Sequence, residues 1–235
     1  ARKSRQYIET MSKGEKPFFL YLSLTSPHTP ILPSGRWLNK SKVGLYGDFL
    51  METDWVVGSV LATLDRLKIA DNTMVVFTTD NGAASFALSP QLAQAGHRPS
   101  ALYRGYKGDI YEGGHRVPTV IRWPNKIKSG TTSNRTITLA DFFATYSEML
   151  GTTVKESSAV DSISFYEDLM GSKTRVHESR SATVMHDGYG KFALRKNSMK
   201  LCFSKDTGRN NKANSLQRWQ LYDLSKVPQE RNNIF

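Results

Sequence analysis

The sequence holds a single cysteine among 235 residues. One thiol excludes an intrachain disulfide and any cysteine-rich metal site. Cys202 stands in Lys200-Leu201-Cys202-Phe203, and its apolar neighbours predict a buried structural thiol. No apolar run approaches the roughly 20 residues that a membrane-crossing helix needs. The longest runs, such as residues 74–77, are strand-sized. The opening Ala1-Arg2-Lys3-Ser4 has neither an initiator Met nor an apolar h-region, so it does not read as a signal peptide. Internal repeats, low-complexity segments, zinc-finger spacings and RNA-binding signatures are all missing.

What is present is a globular composition, 39% apolar and 23% charged, with a formal net charge of +11. Such a surplus suits nucleic acid, an anionic membrane surface or an anionic small substrate. Here the bases alternate with acids rather than lining one helix. That pattern argues against nucleic acid and favours a protein that handles small anions.

Periodicity predicts an α/β chain. Residues 4–11 read as a helix, with Tyr7, Ile8 and Met11 on one side. Residues 17–24 are almost continuously apolar and read as a strand buried on both faces, as in a parallel sheet. Residues 46–67 read as a long helix, with Val57, Val60, Leu61, Leu64 and Leu67 facing a core. Residues 73–79 and 119–122 are further strand candidates, and 139–150 an amphipathic helix with Leu139, Phe142, Phe143, Tyr146 and Leu150 on its apolar side. Strand, loop, helix and strand in succession predict a crossover in a doubly wound, mostly parallel sheet flanked by helices. Residues 83–102 read as loop and 103–118 as a Gly-rich segment. The tail changes character: 182–185, 191–196, 199–204 and 220–224 are short strand candidates, with Asn197-Ser198 able to close a hairpin. The expected division is an α/β part over 1–160 and a small antiparallel-sheet subdomain over 161–235.

Three segments could carry chemistry. In open α/β sheets, ligands bind beyond the carboxyl ends of the strands. Two loops are expected to leave strands there, one with His28 and the other with Asp80 and Asn81. Asp80 and Asn81 are adjacent oxygen donors of the kind hard cations take, although Ca²⁺ needs about six or more. Read alone, Asp80-Asn81-Gly82 is first of all a tight turn. His28, in Pro27-His28-Thr29-Pro30, has the imidazole suited to proton transfer near neutral pH, and read alone is a surface residue. The same plain reading applies to His97, His115, His177 and His186. Lys107, among glycines and tyrosines, could present a point charge to an anion; the alternative is a solvated Gly-rich hairpin.

Together these segments resemble the sulfatase family of the alkaline phosphatase superfamily. The resemblance runs in order through Lys16-Pro17-Phe18-Phe19-Leu20-Tyr21-Leu22 into Pro27-His28-Thr29-Pro30. It continues through Asp71-Asn72-Thr73-Met74-Val75-Val76-Phe77-Thr78-Thr79-Asp80-Asn81-Gly82. A third block is Arg104-Gly105-Tyr106-Lys107 with Tyr111-Glu112-Gly113-Gly114-His115-Arg116-Val117-Pro118. The last runs from Gln220-Leu221-Tyr222-Asp223-Leu224 through Pro228-Gln229-Glu230 to Asn232. The resemblance implies that Asp80 and Asn81 ligate a divalent cation, usually Ca²⁺ with Mg²⁺ as the alternative. It implies that Lys107 binds the sulfate and relieves charge on the leaving oxygen, and that His28 contacts the ester and protonates the leaving alcohol. The substrate it implies is a sulfate ester, such as a sulfated carbohydrate, in an extracytoplasmic compartment: periplasmic, secreted or lysosomal.

One departure stands out. Sulfatases use formylglycine made from Cys or Ser in a C/S-x-P-x-R motif, and no such motif occurs here. The resemblance therefore implies that the nucleophile, and the family's two leading aspartate ligands, lie in an N-terminal half outside this chain. The chain alone is expected to be inactive and to need that half as a partner. Loss of the first strands of a doubly wound sheet should also leave apolar surface and an open strand edge. Two other readings stay open: a phosphodiesterase or phosphonate hydrolase with a similar metal site, and a non-catalytic binder of sulfated glycans.

Overall fold

A computed structural model describes residues 1–153, 155, 157–172, 180–204 and 219–235; His177 lies outside the described residues. The chain forms two compact units. The first comprises Ala1–Val76, Ser85–Ala101 and Ile121–Asn125, the second Phe77–Ala84, Leu102–Val120 and Lys126–Phe235.

In the first unit, helix α1 (Arg2–Met11) packs against helix α2 (Gly44–Arg66). Ile8, Leu64 and Ala70 are buried together, with Val60, Leu67, Phe18 and Leu20 against them. Ile8 is only 1% exposed, and burial of a side chain of that size contributes about 1.5–3 kcal/mol. The end of α2 is set by local geometry. Lys68 takes a left-handed φ of 58°, the Lys68 N–H donates to Asp65 O and the Ile69 N–H to Leu64 O. This double bond pattern closes the last carbonyls, and Leu64 and Ile69 share the same apolar cluster.

Residues 17–24 depart from expectation. They carry no regular secondary structure, and Phe19 and Tyr21 are 70% and 80% exposed. A strand is held by a neighbouring strand's hydrogen bonds, and no described strand pairs with this segment. Residues 83–102 are also more ordered than a loop: they contain a 3-10 turn (Ser85–Ala87) and helix α3 (Pro90–Gln94). The Ser89 side chain caps α3 by accepting from the Leu92 N–H.

Strands β1 (Val75–Thr78) and β2 (Thr119–Arg122) pair as a two-stranded sheet, and each is divided between the units. The second unit also contains helices α4 (Glu112–His115), α5 (Asp141–Met149) and α6 (Tyr166–Leu169). Helix α5 buries Thr145 and stacks Phe142 on Phe165, but Leu139, Phe143 and Leu150 are exposed. Its apolar stripe is thus narrower than its sequence suggested.

The four tail strands form as expected: β3 (Thr183–His186), β4 (Phe192–Lys196), β5 (Met199–Cys202) and β6 (Gln220–Asp223) make an antiparallel sheet in chain order. Lys196 pairs with Met199, so Asn197 and Ser198 close a two-residue hairpin, with Asn197 at φ 54°. Ala193, Cys202, Tyr222 and Leu224 bury one face of this sheet against Ile110 and Tyr111. The architecture is mixed α/β with a small antiparallel sheet. No described helix is long and apolar enough to cross a membrane.

Cys202 is fully buried. Burial pushes its thiol up to about 11, against the lowering pull of Lys200. The folded thiol therefore stays protonated at pH 8, and alkylation by iodoacetamide is expected to require unfolding; rapid labelling of the native chain would contradict this. The sign for stability follows. An unfolded thiol ionises near 9 while the folded one does not until about 11. This group's contribution is intact at neutral pH and declines as pH rises through that interval.

Candidate active site

Asp80, Asn81 and Lys107 belong to the second unit, and His28 to the first. Asp80 and Asn81 follow β1 after one residue, Thr79. The Asn81 side-chain amide donates to Gly82 O at 3.0 Å, which leaves its side-chain oxygen free. Asp80 is exposed, and its carboxylate accepts no hydrogen bond among the described residues.

Backbone hydrogen bonds stitch this loop to the segment that carries Lys107. The Gly82 N–H donates to Gly114 O at 3.0 Å, and the Lys107 N–H to Ala83 O at 2.8 Å. Glycine is required for so close an approach. A Cβ on Gly82 would lie 1.8 Å from Gly113 O, and one on Gly113 would lie 2.2 Å from Gly105 O and 2.5 Å from Arg104 O. These neighbours are main-chain atoms and cannot rotate away. Gly113→Ala is expected to destabilise the unit by at least about 1–3 kcal/mol, read by urea denaturation; wild-type stability would contradict the packing described. The Lys107 ammonium has no carboxylate partner among the described residues, so its charge is available to an anion.

The Lys107 segment is anchored below by a buried ionic network that sequence reading did not single out. Lys200 and Glu230 are fully buried and Glu112 is 2% exposed. Lys200 Nζ lies 3.1 Å from Glu112 Oε1 and 2.8 Å from Glu230 Oε1. Both contacts pair the buried ammonium with a buried carboxylate. The Glu112 N–H donates to Glu230 Oε2 at 2.6 Å. Burial pushes the Glu230 carboxyl above its usual range, while Lys200 pulls it down. Arg104 lies 3.8 Å over the Tyr111 ring and donates to Tyr222 Oη and Glu230 O. Tyr111 and Tyr222 both donate to Gln220 Oε1. One signal was readable: Lys200 shares an inward strand register with Cys202, where a charge demands a buried partner.

His115 ends α4 beside this network. Burial, then the positive charge of Lys200, holds its imidazole below the usual range. It is thus not the plain surface histidine that its sequence suggested, whereas His97 and His186 are exposed.

In the first unit, His28 is exposed. Its Nδ1 lies 2.8 Å from Thr29 O, and only a protonated Nδ1 can donate to a carbonyl. That bond leaves Nε2 as the atom able to exchange a proton. Phe86 stands edge-on to the ring at 5.9 Å.

The donors fit a hard cation in kind but fall short in number. Asp80 and Asn81 offer two oxygens of the six or more that Ca²⁺ takes, and the described residues hold no cluster of three or more His, Cys, Asp or Glu.

An ordered loop with a free side-chain oxygen at Asn81 and the unbonded Asp80 carboxylate is thus tied by backbone bonds to the loop that carries the Lys107 ammonium. A family model for sulfatases matches residues 1–152, and one for the C-terminal region of N-sulphoglucosamine sulphohydrolase matches residues 106–235. The chain belongs to the sulfatase family. It is 32% identical to an N-acetylgalactosamine-6-O-sulfatase of Bacteroides thetaiotaomicron, over 99% of this chain and 46% of that protein. It is 35% identical to human steryl-sulfatase over 63% of this chain and 25% of that one. A solved structure from work on glycosaminoglycan metabolism by Bacteroides thetaiotaomicron superposes with a TM-score of 0.86 at 32% identity, covering 99% of this chain and 49% of its own. The chain spans less than half the length of these relatives.

Proposed function

We propose that this chain supplies cation- and sulfate-binding residues to a sulfuric ester hydrolase that acts on a sulfated carbohydrate. The observation that carries the reading is the Lys107 ammonium, free of any described carboxylate and held by backbone bonds beside the Asp80-Asn81 loop. The relative named as an N-acetylgalactosamine-6-O-sulfatase supports the carbohydrate assignment.

Asp80 and Asn81 would hold a divalent cation, Ca²⁺ or Mg²⁺, through the Asp80 carboxylate and the Asn81 amide oxygen. Such a cation, when bound, supplies positive charge against the sulfate oxygens. Lys107 binds sulfate and offsets charge on the oxygen that leaves. His28, with Nδ1 committed to Thr29 O, delivers a proton from Nε2 to that oxygen. The role of His28 rests on family membership and on the chemistry of its ring. The nucleophile, a formylglycine in this family, would come from a segment outside these 235 residues, because no C/S-x-P-x-R motif occurs and Cys202 is buried and protonated.

The protein expressed from its gene should cleave 4-nitrophenyl sulfate faster than the matched phosphodiester. Preference for the phosphodiester would favour the rival hydrolase class, and saturable binding of sulfated glycans without turnover would favour a binder. Proton donation matters most when the leaving group is a poor one. His28→Ala should therefore lose about 10²-fold or more on an alkyl sulfate and clearly less on the nitrophenyl ester. Equal losses on both would remove His28 from the role of general acid.

A further inference from the structure

We propose that the turn between β3 and β4, residues 187–190, forms a saccharide subsite beside Lys107, with the Tyr189 ring as the surface on which a pyranose stacks. The proposal rests on the sulfate-ester reading for its substrate class and adds a place for the sugar.

Position comes first. The Gly188 N–H donates to Gly108 O at 3.0 Å, and Gly108 follows Lys107 directly. A Cβ on Gly188 would stand 3.6 Å from Gly108 Cα, so the two backbones are in contact. The turn therefore adjoins the segment that presents the free ammonium, and both lie in the second unit.

The turn is also pre-formed. Asp187 is 6% exposed, and its carboxylate accepts the N–H groups of Tyr189 and Lys191, each at 2.8 Å. The Asp187 N–H donates to Lys191 O, and Gly190 takes the positive φ of 77° that closes the bend. A buried carboxylate thus fixes the backbone on both sides of Tyr189.

The chemistry points to a sugar. Tyr189 is 67% exposed, and its hydroxyl has no partner among the described residues. With most of its surface in solvent, the ring adds little to folding. An exposed aromatic on an ordered turn offers an apolar face to the C–H face of a pyranose, and its hydroxyl can bond a sugar hydroxyl. Phe192, 51% exposed, and exposed His186, with ring centroids 5.9 Å apart, stand on β4 and β3 where the strands meet this turn. A sulfated sugar needs both an anion contact and a ring contact, and these stand on adjoining backbones here.

The test separates the two halves of such a ligand. N-acetylgalactosamine is titrated by saturation-transfer NMR and inorganic sulfate by calorimetry, using wild type, Tyr189→Ala, Tyr189→Phe and Lys107→Ala. Tyr189→Ala should weaken sugar binding roughly five- to tenfold, Tyr189→Phe should restore most of it, and sulfate affinity should be unchanged in both. Lys107→Ala should weaken sulfate instead. Sugar affinity equal in wild type and Tyr189→Ala, or no sugar binding by wild type, overturns the subsite. Sugar binding that depends on Tyr189, with no sulfate binding at all, supports the subsite and counts against the sulfate-ester reading.

Discussion

Lys200→Ala is expected to cost about 3–5 kcal/mol, the range seen when one partner of a buried ion pair is removed. The ammonium is fully buried and sits between Glu112 and Glu230, which are also buried. Without it the Glu230 carboxyl keeps only the Glu112 N–H at Oε2 and must take up a proton to remain inside. Glu112 is better placed, because Arg195 and Arg116 lie 3.5 and 3.6 Å from its other oxygen. A domain is stable by only about 5–15 kcal/mol, so the variant loses a large share of its margin. Joint replacement of Lys200, Glu112 and Glu230 by apolar residues of similar volume should be far milder than the single change, since no unpaired charge then remains buried. A single variant as stable as wild type in urea denaturation would show that the ammonium is not desolvated as described.

This network explains how the tail sheet bears on chemistry elsewhere in the unit. Glu112 opens α4, within the same segment as Lys107, whereas Lys200 lies on β5 and Glu230 follows β6. Ion pair, backbone bond and Arg104 contacts clamp the one onto the other. Loss of the clamp should loosen the segment that presents Lys107 before it changes any group proposed to meet sulfate.

Elements whose stability is local could be read from the sequence. Alternation in 191–196 and 199–204 exposes one face and buries the other, and the Asn197-Ser198 turn sets the register; both features survive in the fold. Helix α2 was readable because its period and its stop are properties of neighbouring residues. Residues 17–24 misled because a run of apolar residues signals burial only when something is there to cover it, and no described strand pairs with them. At the site, residue types suggested Asp80, Asn81 and Lys107, but not what ties them together. That work falls to main-chain contacts at Gly82, Gly113 and Gly114, which carry no side-chain signature. The partners of Glu112 lie 88 and 118 positions away, beyond the reach of any periodic pattern.

The second large effect concerns the site itself. An ammonium aimed at developing charge is worth far more in the transition state than in the ground state, and loss of one such donor typically lowers kcat by about 10²–10³. Lys107 has no structural ion pair to lose, so Lys107→Ala should leave the fold intact and remove only this charge. Asp80, exposed and with no hydrogen bond to its carboxylate among the described residues, is in the same position: Asp80→Ala removes the proposed cation ligand and no described hydrogen bond.

The most direct measurement is turnover of 4-nitrophenyl sulfate by the protein expressed from its gene, for wild type, Lys107→Ala and Asp80→Ala, with urea midpoints recorded alongside. The account predicts that each variant loses about 10²-fold or more in kcat at an unchanged midpoint, with excess calcium partly restoring Asp80→Ala but not Lys107→Ala. Turnover near the wild-type rate in either variant would contradict it.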